Sequence, residues 1–263
     1  MSLAFAAVLF VLGALGAFVS GLIGVGGAIV MIPLLLYVPP LLAVAALDVK
    51  TVAAITMVQV FVASASGMIA HGRHHAVNLR LAAVGGAAMA AGSLLGAVAS
   101  KYVGERWLLI VFATMVTVAF VLMFLPDPVP DVTEPATLKE YSAPLTAITA
   151  GMVGVAAGLV GAGGAFLLVP LLLVVVGVPI RVTIGSSLAI TAAAATAGMI
   201  GKALTGQIPF QPALVVAAGA LPGAHLGAAA SRRLSGVALK RALLAVIALT
   251  GVRVWWHVLS ELR

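Results

Sequence analysis

Closely spaced glycines buried in uncharged sequence constrain this chain more than any other feature. Residues 21–28 read Gly-Leu-Ile-Gly-Val-Gly-Gly-Ala, and four apolar residues later come Pro33 and Leu34-Leu35-Leu36. Residues 158–165 read Gly-Leu-Val-Gly-Ala-Gly-Gly-Ala, followed in the same way by Pro170 and Leu171-Leu172-Leu173. Ten of the sixteen aligned positions are identical. Glycine and proline are the residues that least favour a helix interior. Each copy therefore predicts a segment with a built-in break, its freed backbone amides turned toward a ligand. A dinucleotide fingerprint is excluded, because Ile29 stands where the third glycine belongs and no βαβ pattern surrounds it.

The surroundings say that the solvent is lipid. Apolar residues make up 63% of the 263 residues and charged residues 8%, with a mean hydropathy of +1.25. A soluble domain carries about a quarter charged residues, so the class is a polytopic, all-α membrane protein. Met1 to Leu47 has no basic n-region, and its apolar run is far longer than that of a signal peptide. With no cysteine in the chain, disulfides and thiolate chemistry are excluded. The net charge of +7 does not indicate nucleic acid. The 14 basic residues are scattered over the ends of apolar runs, at headgroup level, and form no compact patch.

Uncharged runs define the segments: Met1–Leu47, Thr51–Ala70, Leu81–Ser100, Trp107–Pro126, Tyr141–Ile180, Val182–Gly201 and Ala203–Ser231. A last span over Val237–Leu259 contains Lys240, Arg241 and Arg253, all able to snorkel, with Trp255 and Trp256 as interface anchors. One crossing needs about 20 apolar residues. The first and fifth runs are about twice that length, so each folds back or crosses twice. Between Pro126 and Glu140 lie Pro126, Pro128, Pro130 and Pro135 with Asp127, Asp131, Glu134 and Glu140. That stretch reads as a solvated linker. The organisation is a first membrane repeat over 1–125, the acidic proline-rich linker 126–140, and a second repeat over 141–263.

The halves match beyond the glycines. Gly67-Met68-Ile69 recurs as Gly198-Met199-Ile200, and Gly92, Gly96, Ser100 and Lys101 as Gly223, Gly227, Ser231 and Arg232. The unit is a broken, re-entrant long element plus three transmembrane helices, used twice. Secondary transporters are built from such duplications and bind substrate where the repeats meet. A broken element that folds back makes the repeats inverted; one that crosses once makes them parallel. Segment length favours inversion, while the balance of basic residues does not decide.

The chemistry-bearing candidates follow from the breaks. A helix resuming after Gly24, Gly26 and Gly27, or after Gly161, Gly163 and Gly164, presents about half a positive charge at its N-terminus. Two such ends suit a small anion. The competing reading is close helix packing by small residues. Thr51 and Thr56 open the helix after the first copy, and Thr183, Ser186 and Ser187 the helix after the second. These hydroxyls are anion ligands or simple helix caps. Gln59, one turn beyond Thr56, points to the protein interior. His225 is a candidate proton carrier or a neutral bridge between helices. Asp48 is a candidate for gating or coupling, although an interfacial ion pair with Lys50 is the simpler expectation. His71, His74 and His75 sit beside Arg73, which would repel a cation, so no metal site is expected. No catalytic triad or carboxylate pair can be assembled, and no cofactor is expected.

At these residues the chain resembles the sulfite exporter TauE/SafE family of bacterial inner-membrane proteins. The resemblance rests on Gly21-Leu-Ile-Gly-Val-Gly-Gly with Pro33, Gly158-Leu-Val-Gly-Ala-Gly-Gly with Pro170, the Gly185-Ser186-Ser187-Leu188 helix start, and the helices at Gly92–Gly96 and Gly223–Gly227. It implies a secondary permease for a small anion such as sulfite, a sulfonate or sulfoacetate. It also implies coupling to an ion gradient, of protons or another ion, and a multi-pass location in the inner membrane; a homodimer is left open. The first copy departs from the pattern at Ala54-Ile55-Thr56, where the second has Gly-Ser-Ser. An anion channel and a membrane enzyme built on the histidine loop are the competing functions.

Overall fold

The computed structural model describes residues 1–23, 26–72, 78–125, 141–231 and 236–260. Gly24, Arg73, His74, His75, the side chain of His71 and the linker 126–140 lie outside the described residues. The described chain is helical and without strands. Its elements are α1 (Leu3–Ile23), α2 (Ala28–Leu41), α3 (Val49–Gly72), α4 (Leu79–Ala99), α5 (Glu105–Leu122), α6 (Ala143–Val160), α7 (Ala165–Leu171), α8 (Ile180–Leu204), α9 (Phe210–Ser231) and α10 (Gly236–Ser260). Of the described helices, α1, α3, α4, α5, α6, α8 and α9 are long and apolar enough to cross a bilayer.

The two long uncharged runs are each interrupted at the glycines. In the first, α1 stops at Ile23 and α2 begins at Ala28; in the second, α6 stops at Val160 and α7 begins at Ala165. The 14 residues of α2 reach about 21 Å, short of the hydrocarbon thickness of about 30 Å. Glycine is required here for a specific reason. Gly26, Gly27, Gly163 and Gly164 all take the left-handed region, with φ of 75°, 73°, 62° and 73°, where side chains are strained. The prolines do not make the breaks. Pro33 and Pro170 lie inside α2 and α7, and α7 passes into a π-helical turn over Leu172–Val176.

Where the long helices pack closely, the buried face is built from small residues and the exposed face from large ones. α9 buries Gly219, Ala220, Gly223, Ala224, Gly227 and Ala228, while Leu214, Leu221 and Leu226 on the same helix are exposed. Lipid is as apolar as leucine, so membrane helices associate by close backbone approach. A Cβ on Gly223 would strike the Ala14 backbone, and one on Gly96 the Val155 carbonyl. These glycines, which match between the halves, serve helix packing.

The same contacts give the helix directions. Gly219, Gly223 and Gly227 of α9 meet Phe10, Ala14 and Phe18 of α1 in step, so these helices run parallel. Gly154 and Gly158 of α6 meet Met89 and Ser93 of α4, again parallel. Gly67 of α3 meets Leu188, whereas Gly198 of α8 meets Met57, so α3 and α8 are antiparallel. Gly85 of α4 meets Ile190 and Gly201 meets Leu94, which sets α4 parallel to α8. The short connection from Leu204 to Phe210 reverses α8 into α9. Hence α1, α3 and α9 point one way and α4, α6 and α8 the other. The antiparallel pair α3 and α8 is flanked by α1 with α9 and by α4 with α6; α5 and α10 pack on each other and on α7 and α2.

The final helix, weakest in the sequence because of its charges, is tied to α5 and α2 by exposed side chains. Trp255 Nε1 donates to Thr117 Oγ1 of α5 at 2.8 Å, and the Arg253 guanidinium stands over the Tyr37 ring of α2 at 5.4 Å. Trp255 and Trp256 are both exposed, as interface anchors would be.

Candidate functional site

The two breaks meet. A Cβ on Gly26 would come within 3.5 Å of Val60 Cγ1 and of Ala165 Cβ, and within 3.3 Å of Thr191 Cγ2. A Cβ on Gly163 would strike Val60 Cγ1 and lie 3.3 Å from Thr191 Cγ2. Gly26 and Gly163, remote in sequence, therefore share the same two neighbours, Val60 from α3 and Thr191 from α8. Each of those is the twelfth residue of a helix of 24 and 25 residues respectively. The breaks accordingly lie at mid-depth of the antiparallel pair.

Both helices that resume here start uncapped. Gly27 and Gly164 are the N-cap residues of α2 and α7, and neither helix has a side-chain cap hydrogen bond. The Gly27 carbonyl accepts from Val30 and Met31, and the Gly164 carbonyl from Leu167 and Leu168. The amides of Ala28, Ile29, Ala165 and Phe166 belong to the first turn, where no helical acceptor precedes them.

The helices around the breaks carry polar side chains buried without partners. Ser20, Thr56, Gln59, Ser93 and Thr191 each bury hydroxyl or amide atoms that make no hydrogen bond. Gln59 is fully buried, and both its Nε2 and its Oε1 are unpaired. A Cβ on Gly27 would lie 3.0 Å from Ser20 Cβ and 3.1 Å from Gln59 Nε2. An orphaned buried polar group costs about 1–3 kcal/mol. A protein that keeps several together has a use for them, or fills them with water and solute.

Of the residues singled out in the sequence, Gly26, Gly27, Gly163, Gly164 and Gln59 come together here. Thr56 is buried and unpaired one turn before Gln59. Gly161 caps α6 with φ 71° and fits tightly against the Ala53 backbone of α3. The others have structural employment. Thr51 receives two hydrogen bonds' worth of capping from Asp48: its N–H donates to Oδ1 and its hydroxyl to Oδ2, both at 2.7 Å. The expected Asp48–Lys50 ion pair does not form, since the Lys50 ammonium instead donates to the Lys101 carbonyl at 2.9 Å. Thr183 donates to the Val178 carbonyl at 3.1 Å, and Ser186 accepts from the Asn78 N–H at 3.0 Å. Ser187 is fully buried. His225 is exposed on α9, bonded through Nδ1 to the Leu221 carbonyl of its own helix at 2.9 Å; it neither bridges helices nor approaches the breaks.

Sequence reasoning missed Ser20, Val60, Ser93 and Thr191. Thr191 was within reach, because it lies one turn beyond Ser187 on a face already marked by hydroxyls. It also missed Lys202, the fully buried lysine at the end of α8. Its ammonium donates to Ser100 Oγ at 2.8 Å and to Gln207 Oε1 at 3.4 Å. Ser100 and Gln207 are also joined to each other at 2.9 Å, so the group ties the ends of α4 and α8 together. Lys202 stands eleven residues beyond Thr191, about 16 Å along the axis. The site at the breaks is therefore neutral among the described residues: backbone amides, hydroxyls and one carboxamide.

Comparison with known proteins follows the same lines. A family model described as "Sulfite exporter TauE/SafE" matches residues 9–254. A protein of Bacillus subtilis (strain 168) described as "Probable membrane transporter protein YunE" is 25% identical over 261 residues, an alignment spanning 93% of this chain and 95% of the relative. No solved structure gives a significant match.

Proposed function

Because the chain belongs to the sulfite exporter TauE/SafE family, and so is a multi-pass membrane transporter, we propose that its cargo is a small sulfur-containing oxyanion bound where the two glycine breaks meet. Sulfite and small sulfonates are the cargo class. The observation that carries this reading is the convergence of Gly26 and Gly163 on Val60 and Thr191, with two uncapped helix starts beside them. First-turn amides and the helix dipole favour an anion there. The absence of a charged side chain from the described part of the site suits a transporter, which has to release what it binds.

The mechanism we propose is alternating access between two inverted repeats, α1–α5 and α6–α10. Its support is the opposed direction of α1 and α6, and the way α1 leans on α9 of the other half while α6 leans on α4. Motion of one half against the other would open the central site to each face in turn. The bacterial inner membrane is the proposed location, with a proton or other ion as the coupling partner.

Reconstitution in proteoliposomes tests the reading. Gradient-driven uptake of labelled sulfite, lost in Gly163→Leu, is the expected result. Absence of flux for sulfite and for a panel of sulfonates would overturn it. Conductance that needs no counter-gradient would instead favour an anion channel using the same pore.

A further inference from the structure

The amide of Gln59 says more about the cargo than its charge. Resting on the anion-transport reading above, we infer that the preferred solute carries a hydrogen-bond donor of its own as well as a negative charge: a protonated oxyanion, or an oxyanion bearing a hydroxyl or amino group.

The argument is one of donors and acceptors. Gln59 is fully buried, lies against the break at Gly27, and has neither Nε2 nor Oε1 engaged. A bare oxyanion has only acceptors. It would satisfy the Gln59 NH₂ and the free amides of α2, but it would leave the Gln59 carbonyl oxygen unpaired and facing like charge. The hydroxyls of Ser20, Thr56 and Thr191 do not create the same requirement, because a hydroxyl can turn to donate. The carboxamide oxygen cannot, and exchanging its N and O atoms changes nothing, since both ends are orphaned. A solute with its own O–H or N–H completes the set.

The requirement is one-sided. Gly67 and Gly198 are matching positions in the two halves, and at the same offset Gln59 of α3 corresponds to Ile190 of α8. Ser20 likewise corresponds to Ala157 at the offset of the glycine motif. The donor of the solute is thus read on the α1–α3 side, since the matching positions of the other half, Ile190 and Ala157, offer no side-chain acceptor. That arrangement orients an asymmetric ion.

A matched pair of probes tests this on the intact protein in proteoliposomes: ethanesulfonate and 2-hydroxyethanesulfonate, both fully ionised at working pH and differing in one hydroxyl. Uptake of the hydroxylated ion should exceed that of the plain one by about tenfold, the value of one buried hydrogen bond. Gln59→Leu should abolish the preference. Equal handling of the two ions by the native protein, rejection of both included, overturns the inference and needs no variant to fold. Sulfite uptake in the same vesicles reports separately on the transporter reading, which survives if sulfite moves and the preference is absent.

Discussion

The Thr250 hydroxyl donates to the Ile29 carbonyl at 3.1 Å, across from α10 to the first turns of α2. Ile29 stands four residues before Pro33, and proline has no N–H to fill the acceptor that an ordinary helix would fill. In lipid no water can take its place. Thr250 therefore supplies the bond that lets a proline sit inside the short helix, and holds the start of that helix still beside the glycines.

Removing that hydroxyl has a size that can be stated. Thr250→Val keeps the shape and orphans a buried carbonyl, at about 1–3 kcal/mol. Thr250→Ser should recover most of the loss. Thermal unfolding in detergent reads both, and a valine variant as stable as the native protein would show that the bond contributes nothing.

The glycines at the breaks should not be equivalent. A Cβ at Gly163 collides with the Val60 side chain, whereas one at Gly26 meets only contacts of 3.3 Å or more. Both carry a left-handed φ, so alanine strains either backbone by about 1–2 kcal/mol. Gly163→Ala should depress transport more than Gly26→Ala, and Val60→Ala added to Gly163→Ala should restore part of it. The order is checked by initial uptake rates normalised to protein in the membrane. If the Gly26 variant is the worse one, the steric account is wrong.

Stability and transport should move in opposite directions at the orphaned hydroxyls. Thr191→Val and Thr56→Val each replace an unpaired buried group by one of the same shape, which is neutral or stabilising. Transport should fall in both if those hydroxyls meet the solute. Parallel measurement of melting temperature and uptake separates this from simple misfolding. A variant that is both less stable and less active would instead point to a hidden structural bond.

Lys202 makes the contrasting case of a buried polar group that is employed. Lys202→Met removes a charge whose desolvation is expensive, and should leave stability unchanged or raised. Ser100→Val leaves the ammonium with one acceptor fewer, and should cost about 1–3 kcal/mol. The double variant should recover. A double-mutant cycle on unfolding temperature decides, and strict additivity would mean that the two side chains are not coupled.

What the sequence makes visible is what lipid enforces on composition. Long uncharged runs mark the helices, and glycine repeats mark both the breaks and the packing faces. The segment boundaries follow because a charge is costly in hydrocarbon at any position. The split between the two uses of glycine is not visible. Gly96 and Gly163 differ only in φ and in what lies opposite, and both depend on a partner helix far off in the chain. The same limit applies to Thr56 but not to Thr51. Five residues apart on one helix, one is capped by Asp48 and the other is left without a partner. The capping of Thr51 is local, with Asp48 three residues before it, but that Thr56 finds no partner depends on the helices packed against it. Lys202 escaped because its acceptors, Ser100 and Gln207, are supplied by α4 and by the turn after α8.

The opposed directions of α1 and α6 have a consequence for rectification. On the proposed path, a solute entering from either face would meet a helix start and the same kind of left-handed glycine step, and leave past the other. The barrier profile of such a path is close to the same read from either face. Whatever makes one direction easier has to come from positions where the correspondence fails, and Gln59 against Ile190 is the largest such failure at mid-depth.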